Sequence, residues 1–295
     1  MKLGYFPGCS LHGTARELNE SLGEVARRLD LQLDEIKDWA CCGASSAHQV
    51  NHLLGVALPA RTLALAEEQG MERVVAPCAA CFNRLAEARH EIAEDAALAR
   101  EVGRVLDRPF GNKVEVINLV QAMRELGPAI KEKTVRPLAG LKVACYYGCL
   151  LVRPAAATNF DDPERPSAME EVVRALGAEP VEWSKRLVCC GGNFSLSRQD
   201  SVVRLGREIL EDAKAAGADV VAVACPMCQS NLDFRQKAMA RDGRSLQLPI
   251  LYLTQLVGLA LGLDEQTLGL ARHFVDAGPT LRKLAAAAPA APAEA

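Results

Sequence analysis

Leu187-Val188-Cys189-Cys190-Gly191-Gly192-Asn193 places two adjacent cysteines on a glycine turn, and Cys225-Pro226-Met227-Cys228 follows it. Cys149 lies upstream of both. The same set occurs once before, as Cys9, then Cys41-Cys42-Gly43, then Cys78-Ala79-Ala80-Cys81. Ten of the 11 cysteines therefore belong to two copies of one pattern, C…CCG…CxxC, and Cys145 stands outside both. The copies are about 140–150 residues apart. Solenoid repeats have periods of about 20–50 residues, so a spacing this long signifies two duplicated domains.

Working outward from the cysteines, each set is threaded on alternating strands and helices. Residues 2–6 predict a short buried strand ending at Pro7-Gly8, which places Cys9 in a loop. Leu18, Leu22, Val25 and Leu29 recur with the period of an amphipathic helix, and an extended segment from Leu33 to Trp39 leads to the first CCG. A helix over 49–69 stops at Gly70, and Val74-Val75-Ala76 is the strand that delivers Cys78. Cys81, Leu85, Ala88 and Ile92 share the face of the next helix, helix continues over 91–106, and 114–117 is a further strand. The second half restarts with a strand over 141–145 and Tyr147-Gly148-Cys149. A loop over 151–167, a helix through Met169, Val172, Val173 and Leu176, and an extended stretch over 179–183 lead to the second CCG. Val202, Leu205, Ile209 and Leu210 mark another helix, and 220–224 is the strand before Cys225. Gly70 precedes Cys78 by the same interval as Gly217 precedes Cys225. The chain past Leu261 reads as helix and then as an Ala/Pro-rich tail with little to bury.

This alternation predicts an α/β protein of two duplicated Rossmann-like parallel-sheet subdomains, with the cysteines at the carboxyl ends of strands where such sheets bind ligands. Approximate two-fold symmetry would turn both sets toward one crevice. The expected boundaries are 1–136 for the first cysteine-rich domain, 137–275 for the second, and 276–295 for a disordered tail. At 295 residues with 49% apolar content, the chain can bury two ordinary cores. A net charge of −3 with interspersed acids and bases provides no phosphate-tracking stripe, so nucleic acid is not an expected partner. No apolar run approaches the ~18 residues of a membrane span, and the N-terminus lacks the pattern of a signal peptide. The expectation is a soluble cytoplasmic protein, in which an odd number of cysteines points to metal or redox use rather than to a disulfide framework.

Thiolates are the usual ligands of iron-sulfur clusters, and loops or helix N-termini beside them offer N–H groups that stabilise sulfur charge. Isolated cysteines are often just small buried hydrophobes, and Cys145 is read as one in its strand. That reading does not account for ten cysteines in matched sets. Zinc is the main rival, since CxxC and two further thiolates make a four-coordinate site, but the fifth cysteine of each set is then left over. Dithiol redox chemistry at CxxC alone leaves three cysteines per set unused. His12 follows Cys9, and His48 and His52 follow the first CCG, so a ligand or proton-donor role is open for each. Arg153, beside Pro154 and close to Cys149, offers a cation for an anionic substrate or for balancing cluster charge. No bacterial-ferredoxin cysteine run and no Gly-x-Gly-x-x-Gly after a strand is present, so electrons must come from a partner.

Tyr5-Phe6-Pro7-Gly8-Cys9, Tyr147-Gly148-Cys149-Leu150-Leu151-Val152-Arg153-Pro154 and Phe160-Asp161-Asp162-Pro163-Glu164-Arg165-Pro166, beside the two cysteine sets, resemble the B-type subunit family of heterodisulfide reductases, built of two CCG domains. The resemblance extends over nearly all of the chain except the tail. It implies a catalytic iron-sulfur subunit in which each set holds a noncubane [4Fe-4S] cluster. By the same resemblance, Cys9, Cys41, Cys42, Cys78 and Cys81 would hold one cluster, and Cys149, Cys189, Cys190, Cys225 and Cys228 the other. It further implies a ferredoxin-like subunit of the C type and, through it, a flavoprotein as partners, with a small disulfide or thiol as substrate. That substrate is expected between the Cys9–His12 and Cys149–Arg153 loops, with Arg153 and His12 as the catalytic candidates. Two alternatives are an electron-relay subunit of a glycolate, lactate or succinate oxidation complex, and a scaffold stabilised by zinc in one half.

Overall fold

A computed structural model describes residues 1–240 and 246–287. In the first half, β1 (Lys2–Tyr5), β2 (Gln32–Glu35), β3 (Arg73–Ala76) and β4 (Glu115–Asn118) form a parallel sheet in the order β2-β1-β3-β4. In the second, β5 (Lys142–Tyr146), β6 (Glu179–Pro180), β7 (Val220–Val223) and β8 (Ile250–Tyr252) repeat that order as β6-β5-β7-β8. Helices cover the sheets, so central strands read as continuous apolar runs: all four residues of β7 are buried.

The helices of the first half are α1 (Gly8–His12), α2 (Arg16–Arg28), α3 (Ala47–Val50), α4 (His52–Glu68), α5 (Ala79–Glu94), α6 (Ala96–Leu106), α7 (Leu119–Glu125) and α8 (Gly127–Lys133). Those of the second are α9 (Ala155–Thr158), α10 (Ala168–Ala175), α11 (Gln199–Ala215), α12 (Pro226–Asp233), α13 (Gln236–Met239), α14 (Leu253–Ala260) and α15 (Gly278–Ala287). Leu18, Leu22 and Val25 of α2 are completely buried, each contributing about 1.5–3 kcal/mol of burial free energy. Two-fold symmetry shows in how the halves dock. α2 of the first half packs on α14 of the second, and α10, the counterpart of α2, packs on α7, the counterpart of α14. A buried hydrogen bond between Ser21 and Thr254 at 2.7 Å crosses the α2–α14 contact.

Several local expectations are corrected. Cys9 lies in the short helix α1 rather than in a loop. The helix expected over 49–69 is divided by Asn51, whose extended backbone ends α3 and whose side chain accepts from the Leu54 N–H to start α4. Asp95 likewise breaks the helix expected to run on to 106, its carboxylate accepting from Ala97 and Leu98 at the start of α6. Past Leu261 the chain is largely turns before α15, because Asp264 accepts from the Thr267 N–H and Gly269 has a φ of 67°. Of the expected tail, 278–287 is helix with Leu281 buried, and 288–295 lies outside the described residues.

Candidate metal centre

Each cysteine set is assembled at the carboxyl ends of its sheet. β1 delivers Cys9 and β5 delivers Cys149, each after a glycine with positive φ, 64° at Gly8 and 65° at Gly148. Both glycines let the backbone pass close to the CxxC. A Cβ on Gly8 would lie 2.8 Å from Cys81 Sγ, and one on Gly148 would lie 3.4 Å from Cys228 Sγ. Cys78 and Cys225 are the N-caps of α5 and α12, so Cys81 and Cys228 lie in the first turns. Gly43 and Gly191, with φ of 76° and 81°, turn each CCG back on itself, and their N–H groups donate to Cys41 Sγ at 3.5 Å and Cys189 Sγ at 3.3 Å.

The sulfurs meet in equivalent pairs. Cys42 Sγ is 3.3 Å from Cys81 Sγ, and Cys190 Sγ is 3.6 Å from Cys228 Sγ. Asn231 Nδ2 donates to the Cys190 carbonyl at 3.3 Å. The hydrogen bonds among sulfurs divide the thiols into acidic and basic partners. Cys42 is held well below the ordinary thiol range by hydrogen bonds from Cys41 and Cys81, while Cys41 and Cys81 are pushed up. In the second set a hydrogen bond from Cys149 lowers Cys189 to about 6, and Cys149 is pushed up in return. Across the sets, Cys225 is the largest influence raising Cys78, and Cys225 is held low by Cys228 and then by Cys78. Metal binding displaces thiol protons, and thiols packed this closely suit a group that replaces those protons with metal.

Two further groups match. Asn118 and Tyr252 end the equivalent strands β4 and β8, and their buried Nδ2 and hydroxyl lack hydrogen-bond partners. An orphaned buried donor costs about 1–3 kcal/mol. Burial, and after it the charges of Glu17, Cys225, Cys78 and Cys228, raises the pKa of the Tyr252 hydroxyl well above its ordinary value. All of this fits iron-sulfur ligation by the ten cysteines. Among the described residues, no three histidine, cysteine or carboxylate side chains converge on the position of a single metal ion.

The halves are not equivalent where they meet solvent. A crevice of about 340 Å³ is lined by Cys149, Cys189, Cys190, Cys225 and Cys228, the complete second set, and by no cysteine of the first. Its roof comes from the other half: Ala79, Ala80, Asn83, Arg84 and Glu87 of α5. Asn83, itself buried, donates to the Leu150 carbonyl at 3.3 Å and the Arg153 carbonyl at 2.8 Å, fixing the roof to the loop after Cys149. Arg84 pairs with Glu87, and burial lowers the pKa of its guanidinium.

Of the non-cysteine candidates, His48 lines this crevice, with its Nδ1 buried and unpartnered. Arg153 and His12 do not line it. Arg153 is engaged by its own loop, through Glu164 at 2.8 Å and the Pro163 carbonyl at 3.1 Å. His12 pairs with Glu35 at 3.3 Å and rests edge-on to Trp39. His52 is hydrogen-bonded to Glu91 at 2.7 Å. Cys145 is buried in β5, as expected of a core thiol. The sequence did give a signal for Arg84, which follows Cys81 by one helical turn and so shares its face. Asn118 and Tyr252 gave none, because their importance depends on what the strand ends face.

Comparison with known proteins follows the same division. The cysteine-rich CCG domain matches residues 3–86 and again 143–233. The B-type subunit of the ferredoxin:CoB-CoM heterodisulfide reductase of Methanosarcina mazei is 30% identical over 284 residues, covering 93% of this chain and 94% of that one. The chain belongs to the B-type subunit family of heterodisulfide reductases. It is also similar to the membrane anchor subunit of the 8-methylmenaquinol:fumarate reductase of Wolinella succinogenes, at 35% identity over 94% of this chain and 98% of that one. A hypothetical protein from Helicobacter pylori shares the fold, with a TM-score of 0.71 at 12% identity, covering 93% of this chain and 52% of that one. No helix among the described residues is long and apolar enough to cross a membrane.

Proposed function

We propose that this member of the B-type family is the iron-sulfur subunit of a multi-subunit oxidoreductase and carries out sulfur chemistry in the crevice of its second cysteine set. Cys9, Cys41, Cys42, Cys78 and Cys81 would hold one [4Fe-4S] cluster of noncubane type, and Cys149, Cys189, Cys190, Cys225 and Cys228 the other. When bound, such clusters supply single electrons and an affinity for sulfur. The observation that carries the proposal is that all five cysteines of one set line a single crevice, which α5 of the other half roofs. A small disulfide entering there would be reduced, or the corresponding thiols oxidised.

The residues of the chain have distinct tasks in that reaction. The α5 roof excludes water above the sulfurs, Asn83 holds that roof in register, and Arg84 provides the cation for an anionic end of the substrate. His48, with a free buried nitrogen, exchanges a proton with the thiol that is released or bound. Electrons would arrive from a ferredoxin-like iron-sulfur partner, with a flavoprotein beyond it. The test is anaerobic reconstitution followed by metal and acid-labile sulfide analysis, and reduction of small disulfides with an artificial one-electron donor. Two clusters per chain and turnover sensitive to Arg84→Ala support the proposal. Zinc with little iron would instead favour a scaffold.

A second reading has its own support. The relative at 35% identity is named as part of a menaquinol:fumarate reductase, so this chain could relay electrons between a quinol and a partner that reduces a carbon substrate. Reconstituted protein that is oxidised or reduced by a quinol analogue but inert toward every disulfide would establish this role.

A further inference from the structure

The roof of the crevice carries one pair of opposite charges. Apart from the cysteines, His48 and Tyr147, the titratable side chains in the crevice wall are Arg84 and Glu87 of α5. They pair with each other, each is the other's only ion-pair partner among the described residues, and both are largely shielded, with side-chain exposures of 17% and 20%. The pair belongs to one half. At the same distances beyond its own CxxC, the second half has Asn231 and Phe234.

A purely anionic substrate is a poor match for such a wall. Drawing Arg84 toward it leaves the Glu87 carboxylate without a partner, and an unpaired charge in a shielded site is costly. A group that carries both signs avoids this: its carboxylate meets Arg84, its ammonium meets Glu87, and one ion pair becomes two. The α-carboxylate and α-ammonium of an amino acid are held one carbon apart, a spacing that suits two side chains already in contact. The surroundings fit the rest of such a molecule. Ala79 and Ala80, inside the first CxxC, leave space under α5 where the second CxxC has Pro226 and Met227. Together with Leu150 and Met227 they give an apolar wall for a methylene and a disulfide.

We propose that the crevice selects amino-acid disulfides of the cystine type, with Arg84 holding the α-carboxylate and Glu87 the α-ammonium. The inference rests on the disulfide-reducing reading above and names its substrate class. Cleaving RS–SR′ takes two electrons, delivered singly by the reduced iron-sulfur partner, and two protons, and yields RSH and R′SH. Arg84 and Glu87 exchange neither electrons nor protons in that step. They decide which disulfide is held there.

The test uses the reconstituted full chain and two unreactive thioethers of one skeleton, lanthionine and 3,3′-thiodipropionate, which differ only in the α-amino groups. Calorimetry should show lanthionine bound about tenfold or more tightly than thiodipropionate, the effect of one charge-assisted contact. Glu87→Gln should remove that preference at unchanged iron content, and exchanging the pair, Arg84→Glu with Glu87→Arg, should restore it. The corresponding disulfides, cystine and 3,3′-dithiodipropionate, should follow the same order in kcat/KM with an artificial one-electron donor. Equal or tighter binding of thiodipropionate, a preference that survives Glu87→Gln, iron lost from that variant, or no binding of either thioether would overturn the assignment. Turnover of both disulfides without the preference would leave the disulfide reading standing and sink the substrate class. If the thioethers bind as stated but neither disulfide is reduced, the zwitterion site stands and the disulfide reading falls.

Discussion

Alanine at Gly8 is the most discriminating probe of how tightly the first cysteine set is built. Gly8, Gly148 and Gly70 share left-handed backbone, with φ of 64°, 65° and 70°. Their surroundings differ. A Cβ at Gly70 meets nothing within 4 Å, one at Gly148 comes to 3.4 Å from Cys228 Sγ, and one at Gly8 comes to 2.8 Å from Cys81 Sγ. Left-handed backbone costs a non-glycine residue about 1–2 kcal/mol, so Gly70→Ala isolates that cost. Gly148→Ala adds only an ordinary contact. Gly8→Ala must displace Cys81, which is already 3.3 Å from Cys42 and 5% exposed, so an overpacking cost of about 1–3 kcal/mol is added. The expected losses are therefore about 2–5 kcal/mol for Gly8→Ala and about 1–2 kcal/mol for the other two. Urea unfolding of the metal-free chains measures this, and iron per chain after reconstitution should fall only for Gly8→Ala. Equal unfolding curves for Gly8→Ala and Gly70→Ala, with full iron in both, would refute the close approach and with it the built first set.

Cys42→Ser and Cys190→Ser should each abolish the paramagnetic signal of their own cluster and leave the other, since each set is drawn from one half; loss of both signals from a folded variant would contradict this. In the metal-free chain, alkylation at Cys189 should set in through about pH 6 instead of near 9, and Cys149→Ala should move it upward, as mass spectrometry of labelled peptides can show. His273 is buried between Gln229 and Gln255, and burial lowers its pKa from 6.5 to about 4. A folded pKa below the unfolded one means its stabilising effect is full above pH 6.5 and lost as the pH falls toward 4. That window corresponds to roughly 3 kcal/mol, which His273→Gln should remove from the pH dependence of unfolding. Identical profiles for wild type and variant would rule it out.

The sequence by itself determined the duplication, the two five-cysteine sets and the parallel α/β class. Covalent spacing and apolar runs encode these locally: the glycines before each CxxC, the strand ahead of each cysteine and the CCG turns all lie within a few residues of what they shape. Strand β8 escaped notice because Ile250-Leu251-Tyr252 passes directly into the apolar helix Leu253–Ala260, with no turn residue to separate two apolar runs. Other features were decided only by how the halves dock. Arg153, free to face a substrate as far as the sequence goes, is held by Glu164, and α5 of the first half covers the cysteines of the second. The hydrogen bonds of Ser21 with Thr254 and of Asn83 with the Arg153 carbonyl join residues far apart in the chain. No local propensity specifies such meetings. They follow from burying the α2–α14 and α7–α10 faces together, and that packing gives one cysteine set an open crevice and leaves the other without a share in it.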